Sequence, residues 1–310
     1  MKPLRILVGL LTLILISIGP GRAQAQDEAA SHVGTPLDLI PWASSVGPAA
    51  GKQEIPAWKR FSLAVPEPAD GAPVIALLID DMGEAKFWSL RAVALPGPLT
   101  MAFFPHAEGV AAQAEAARAA GHELMLHMPM QPNDESEDPG PDPLILGLDE
   151  IELDRRVMAM LDSFTGYVGV NNHMGSRFTG DWQAMERVLA RVRERGLLFV
   201  DSRTAAGTVA ERVAVSLDIP ALRRDVFIDN DDNPAEIAAR LADLEALARE
   251  RGFAVGIAHP RPQTLRALEA WLPAAVARGV VLAPISAVIG LGSNMSMTAT
   301  QAAEAVRDAQ

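Results

Sequence analysis

The stretch VIALLIDDMG, residues 74–83, runs six apolar residues into two adjacent carboxylates, Asp80 and Asp81, with Gly83 two residues further on. Continuous apolar character, without polar alternation, suits a parallel strand covered on both faces. The acid pair therefore stands where a buried strand ends. Working outward, further apolar runs, LTMAFF, ELMLH, YVGVNN, LLFVD, DVFID, FAVGIAH and VVLAPI, read as strands of the same kind, and helical patterns separate them. One helix is expected from Pro234, capped by Asn233, with Ile237, Leu241, Leu244 and Leu247 on one face and Gly252 at its end. Another is expected from near Asp181 to just before Gly196. Seven or eight βα units in roughly 220 residues predict an α/β fold, a single barrel related to the TIM type, with an open doubly wound sheet as the rival.

Polar residues gather where these runs end. In chain order come Asp80-Asp81, Pro105-His106, His127-Met128-Pro129, His173-Met174-Gly175, Asp201-Ser202-Arg203, Asp229-Asn230 and His259-Pro260-Arg261. In a (β/α) barrel these carboxyl ends converge on one mouth, where active sites are built. An isolated Asp-Asp would more simply cap a turn, and a lone histidine would more often be a hydrogen-bonded core or loop residue. Three histidines, His127, His173 and His259, converging with two aspartates favour a metal or catalytic cluster instead. Asp81, His127 and His173 offer one oxygen and two nitrogens, a set that suits a divalent ion, zinc first, with a position left for water.

The whole chain gives the setting. Its 310 residues, 49% of them hydrophobic, can bury a full-sized core. The start, MKPLRILVGLLTLILISIGPGRAQA, combines Lys2 and Arg5, an apolar run from Ile6 to Ile18 and the pattern Ala23-Gln24-Ala25. It reads as a secretory signal peptide over residues 1–25, its run being short for a membrane span of about 20 residues. Its removal would take away Lys2, Arg5 and Arg22 and no acid, moving the formal charge from −12 to −15. That acidity argues against nucleic-acid phosphates as partners and fits a neutral or amine-bearing substrate. Without cysteine there is no disulfide, so the fold must rest on its core, with a metal as the one candidate for added support. Residues 26–71, rich in Ala, Pro, Ser and Gly, are expected to be a flexible linker, 72–291 the barrel, and 292–310 a loosely ordered tail.

Taken in order, LLIDDMG, GHELMLHMPMQP, VGVNNHMGSRFT, FVDSRT, DVFIDN and GIAHPRPQTL resemble the divergent polysaccharide deacetylase family of bacterial envelope proteins, over about residues 72–290. The resemblance implies a distorted (β/α) barrel of seven or eight units, distantly similar to the classical metal-dependent polysaccharide deacetylases. It implies Asp80 as general base and Asp81 as metal ligand. In classical members the segment matching GHELMLHMPMQP supplies two ligand histidines four residues apart; here only His127 is kept and Gln131 stands at the second place. An amide oxygen is a poorer zinc ligand than imidazole, so His173 is the expected third ligand.

The expected activity is a periplasmic, metal-dependent removal of acetyl groups from an envelope glycan, with His259 as the proton donor to the leaving group. Gln131, Asn171, Asn172, Arg177, Asp201, Arg203, Asp229 and Arg261 are expected either to bind sugar hydroxyls or to hold the ligands in place. Two other readings stay open. One is a non-catalytic envelope protein that keeps the mouth for a glycan or a protein partner. The other, a metallophosphoesterase, lacks an evident cationic clamp beyond Arg177, Arg203 and Arg261.

Overall fold

The structure, a computed structural model, describes residues 55–65 and 68–291. The expected signal peptide, most of the expected linker and the tail from 292 lie outside the described residues. The strands are β1 (Val74–Met82), β2 (Thr100–Phe103), β3 (Glu123–Met130), β4 (Gly169–Met174), β5 (Leu198–Asp201), β6 (Ala221–Arg223), β7 (Val226–Phe227), β8 (Phe253–Ala258) and β9 (Val281–Leu282). The helices are α1 (Ala57–Arg60), α2 (Lys86–Val93), α3 (Val110–Ala119), α4 (Glu150–Leu161), α5 (Trp182–Glu194), α6 (Ala210–Ser216), α7 (Pro234–Arg251) and α8 (Pro262–Ala277). None of them is long and apolar enough to cross a membrane.

The sheet order is β6-β5-β4-β3-β2-β1-β8-β7, all neighbours being parallel, with β9 added beside the start of β1. Around a circle, this is chain order without a reversal. A doubly wound sheet would show a switch point, so the sheet is a curled (β/α) barrel. It closes imperfectly. β6 lies against β5 and β7 against β8, and the two do not pair with each other. The chain itself crosses the seam: the Arg224 N–H bonds Asp201 O (2.9 Å) on one side and the Asp225 N–H bonds Val255 O (2.9 Å) on the other.

Side-chain parity decides what the barrel presents, because successive strand residues face opposite sides. Val74, Ala76 and Leu78 of β1 join Ala102, Met125, Leu198, Val200, Val255 and Ile257 in a core without contributions from α2–α8: the lumen. Ile75, Leu77 and Ile79 belong to the larger core shared with those helices. Residues 285–291 are helical, and Ile285, Val288 and Ile289 complete the lumen core.

The two expected helices form as read. The Asp181 side chain accepts from Ala184 N at the start of α5 (2.9 Å), and Asn233 accepts from Ala235 N at the start of α7 (2.9 Å), whose Ile237, Leu241 and Leu244 are buried. Three expectations are corrected. DVFID yields only the two-residue β7, because the chain is crossing the seam there. β6 was not foreseen. The described part of the expected linker is packed: the Trp58 N–H bonds Gly196 O (3.0 Å) and Ala57 is buried. Gly196 permits this approach, since a Cβ there would lie 3.1 Å from the Ala57 nitrogen.

Candidate metal centre and active site

By parity Asp80 continues the lumen face of β1 and Asp81 would turn toward the helices. Two backbone features reverse that. The pairing of β1 with β2 slips between Ile79↔Met101 and Met82↔Phe103, so β1 carries one extra residue, and Asp81 adopts φ 54°. A bulge of this kind re-aims a side chain, and the left-handed conformation costs roughly 1–2 kcal/mol. Both acids consequently line one cavity of about 340 Å³ at the mouth. Gly83 completes the turn at φ 111°, where a Cβ would meet Ala107 Cβ at 2.5 Å. The acid pair thus lies within the last residues of β1 and does not follow them.

The same parity delivers the histidines. His127 follows Met125 on the lumen face of β3, and His259 follows Val255 and Ile257 of β8. Asn171 and His173 share a face of β4, and Asn171 is paired in register with His127. Asp81 Oδ1 lies 3.2 Å from His127 Nε2 and 3.1 Å from His173 Nδ1, and those two nitrogens are 3.1 Å apart. Asp81 Oδ1 is buried and accepts no hydrogen bond of acceptable geometry. In a tetrahedral site with bonds of about 2.0–2.1 Å, ligand atoms sit roughly 3.3–3.4 Å apart. An equilateral set of one carboxylate oxygen and two imidazole nitrogens, with the oxygen orphaned, therefore fits a divalent ion, and it is the one such group among the described residues.

Asn171 fixes how His127 faces this triangle. Its Nδ2 donates to Asp80 Oδ1 (2.9 Å) and Oδ2 (3.0 Å) and to Ser202 Oγ (3.1 Å), so its Oδ1 is left for His127 Nδ1 at 3.0 Å. An amide oxygen only accepts, so His127 keeps a proton on Nδ1 and presents Nε2 to the triangle. Against burial, Asp80 and Asp81 raise its proton affinity above the ordinary value, and a metal held there would take the Nε2 lone pair in place of that second proton. Opposite, His259 Nδ1 donates to Asp229 Oδ1 (2.8 Å), and its Nε2 faces Asp81 Oδ2 at 3.9 Å. Asp229 is itself held by Thr264 Oγ1 and the His259 N–H, at 2.8 and 2.9 Å.

Burial is the largest influence on each of these groups, and the neighbours decide its outcome. Burial pushes the Asp80 carboxyl up, and His127, His259 and Asn171 only partly offset it. For Asp81 burial pulls the same way but the contacts of His127 and His173 win, holding it well below the usual carboxylate range. Burial disfavours imidazolium at His259, yet the Asp229 hydrogen bond and charge raise it above its ordinary value. At His173 burial prevails and the value falls. Phe104 packs against His127 and His173, with ring centroids at 5.1 and 4.7 Å, and walls off that side.

The remaining expected residues divide. Asn172 and Arg261 also line the cavity: Asn172 bonds Met174 O and Ser202 N, while Arg261 donates to Asp229 O at 2.7 Å. Six expected residues do not line it: Asn171 and Asp229, which act through the ligands as described, and four others. Gln131 Oε1 accepts from Leu146 N (2.9 Å), and Arg177 lies 3.7 Å from Glu135. Asp201 shares the helix-facing parity of Phe199 and caps Thr208 and Glu211 N. Arg203, at φ 50°, contributes its carbonyl to Arg224. Ser202, on the lumen parity of Leu198 and Val200, and Arg224, in the seam, were missed. A larger depression of about 940 Å³ at the opposite end of the barrel, beside Trp58, Leu222 and Phe253, gathers no histidine.

Residues 77–289 match the family described as divergent polysaccharide deacetylase. The chain belongs to that family. Among relatives, it is similar to an uncharacterized protein of Haemophilus influenzae, 33% identical over 200 residues, 64% of this chain and 70% of that one. It is also similar to the uncharacterized protein YibQ of Escherichia coli K12, 31% identical over 196 residues, covering 63% of this chain and 61% of YibQ. The crystal structure of an uncharacterized protein from Agrobacterium tumefaciens C58 matches with a TM-score of 0.73 at 28% identity, over 78% of this chain and 98% of that one. The divergent polysaccharide deacetylase family thus accounts for the barrel and for the order of its mouth segments.

Proposed function

We propose that this chain is a metal-dependent hydrolase that removes acetyl groups from an N- or O-acetylated glycan, acting in the periplasm after loss of its signal peptide. The observation that carries the reading is the triangle of Asp81 Oδ1, His127 Nε2 and His173 Nδ1, flanked in one cavity by Asp80 and His259. A divalent ion held there, zinc by the chemistry of the donors, would make water nucleophilic near neutral pH and polarise the acetyl carbonyl. Asp80, its carboxyl pushed toward higher proton affinity by burial, takes the proton of the attacking water. His259, charged through its bond to Asp229, gives a proton from Nε2 to the departing amine or alcohol oxygen. Asn171 keeps His127 and Asp80 in register for both events. Phe104 keeps bulk water from the ligands on its side.

The test is metal content of the purified protein together with acetate release on a panel of N- and O-acetylated oligosaccharides. Stoichiometric divalent metal and metal-dependent acetate release are expected. Gln131, turned to the Leu146 backbone, favours the second reading, a glycan- or partner-binding module without turnover. Glycan binding with no acetate release on any member of the panel would establish that one.

A further inference from the structure

Within the cavity the charges are unevenly served. Arg224 Nε donates to Ser202 O (2.6 Å) and one terminal nitrogen to Arg203 O (2.8 Å), and the guanidinium lies over the Phe227 ring at 4.8 Å. These contacts fix its plane without neutralising it. Arg261 spends one terminal nitrogen on the Asp229 carbonyl (2.7 Å). Neither arginine has an ion-pair partner among the described residues, although most of the buried or half-buried charges near them do. A guanidinium has five N–H donors in a fixed fork, so each keeps donors to spare.

Both flank the proton donor. Phe227, under Arg224, has its ring centroid 5.4 Å from that of His259, and Arg261 is bound to the residue that orients His259. Burial and then the nearby Arg203 disfavour the charged Arg224, and the carboxylates of Asp80, Asp201 and Asp225, none of them within ion-pair distance, offset this only in part. The carboxylates sharing the cavity are Asp80 and Asp81, engaged by Asn171 and the histidines, and Glu137, which is exposed to solvent. In a chain of net charge −12, two unpaired cations planted at one pocket are an exception that calls for an anion.

We infer that Arg224 and Arg261 select a glycan bearing a carboxylate next to the acetylated sugar, and that the carboxylate docks on the His259 side of the mouth. This rests on the deacetylase reading for the acetyl group; the anion preference itself does not need turnover. Charge-assisted, planar recognition by guanidinium suits a carboxylate, and the ring of Phe227 offers the adjoining sugar an apolar face.

The experiment compares two N-acetylated tetrasaccharides of equal length, one from hyaluronan, with a carboxylate on alternate sugars, and one from chitin, with none. Binding is measured by calorimetry at low and high salt, and acetate release is measured in parallel. The wild type is expected to bind the hyaluronan tetrasaccharide at least about tenfold more tightly, with the preference shrinking as salt rises. Arg224→Gln should cut that preference about tenfold and Arg224→Lys less, with Arg261→Gln as an independent second variant if loss of the seam contacts lowers the melting temperature of the first. An acid preference without acetate release from these probes would sustain this inference and leave the deacetylase reading to the wider panel of N- and O-acetylated glycans; acetate release with no acid preference would sink this inference and sustain that reading. Equal binding of the two probes, no binding of either, or a preference unchanged in both variants overturns the role of the arginines.

Discussion

Two carboxylates with buried oxygens, one at each end of the barrel, are treated in opposite ways. Glu123, the first residue of β3, sits at the amino end, 1% exposed, and all its capacity is used. Thr100 Oγ1 (3.3 Å) and the Ser286 N–H (3.0 Å) serve one oxygen, and the Ser286 hydroxyl serves the other. Thr100 in turn accepts from Ile285 N, so the acid ties the helix at 285–291 to the sheet. At the carboxyl end Asp81 is left with an orphaned oxygen, two imidazoles at 3.1–3.2 Å and a strained backbone. A fully bonded buried acid is a fastening. An incompletely bonded one beside lone pairs is a place kept for something else.

The largest effects should come from the mouth. Asp81→Asn is expected to lose metal and, with it, acetate release by more than about 100-fold, whereas Asp80→Asn should keep the metal and still lose about 100-fold in turnover. Equal metal content and equal activity in the two variants would break the division of labour. Next comes Asn171→Ala, which frees His127 to choose its tautomer and should weaken metal affinity about 10-fold or more. Nitrogen-15 spectra of the metal-free protein, taken at a pH high enough to leave the ring neutral, should show His127 protonated on Nδ1 in the wild type and mixed in the variant.

The base should answer in stability alone. Glu123→Ala leaves Ser286 and Thr100 without their acceptor and is expected to cost about 1–3 kcal/mol, read as a lower melting temperature, with acetate release per folded molecule unchanged. A loss of turnover at undiminished stability would erase the contrast between the two ends. The smallest effect is in the pH profile. His259 has a raised value, so its proton, and the stability its bond to Asp229 contributes, is present below the unfolded imidazole value and lost as pH rises through the folded one. The alkaline limb of activity should therefore lie above pH about 6.5 and move down in Asp229→Asn.

Much of the barrel was legible because parallel strands are buried on both faces, so VIALLI, ELMLH and FAVGIAH stand out as unbroken apolar runs. ALR at 221–223 is too short and too polar for that signal, and β6 went unseen. The acids and histidines of the mouth were located by strand ends alone. Parity would have done better: Leu198 and Val200 point to Ser202, and Phe199 removes Asp201, once the lumen face is known. Arg224 directly follows β6, so it was lost along with that strand and not because of its position. WKRF lacks a period of either kind, so its docking against Gly196 had no trace in the pattern.

The extra residue in β1 makes the acid pair a matter of counting. With one residue fewer between Ile79 and Met82 the pleat would run on unbroken, and a single side chain of that strand would reach the cavity whatever its identity. The capacity to divide two tasks between neighbours is thus stored in chain length and not in residue type. Within this fold a one-residue gap at that point is a more drastic lesion than any substitution of Asp80 or Asp81, and an alignment scored on identities alone would pass over it.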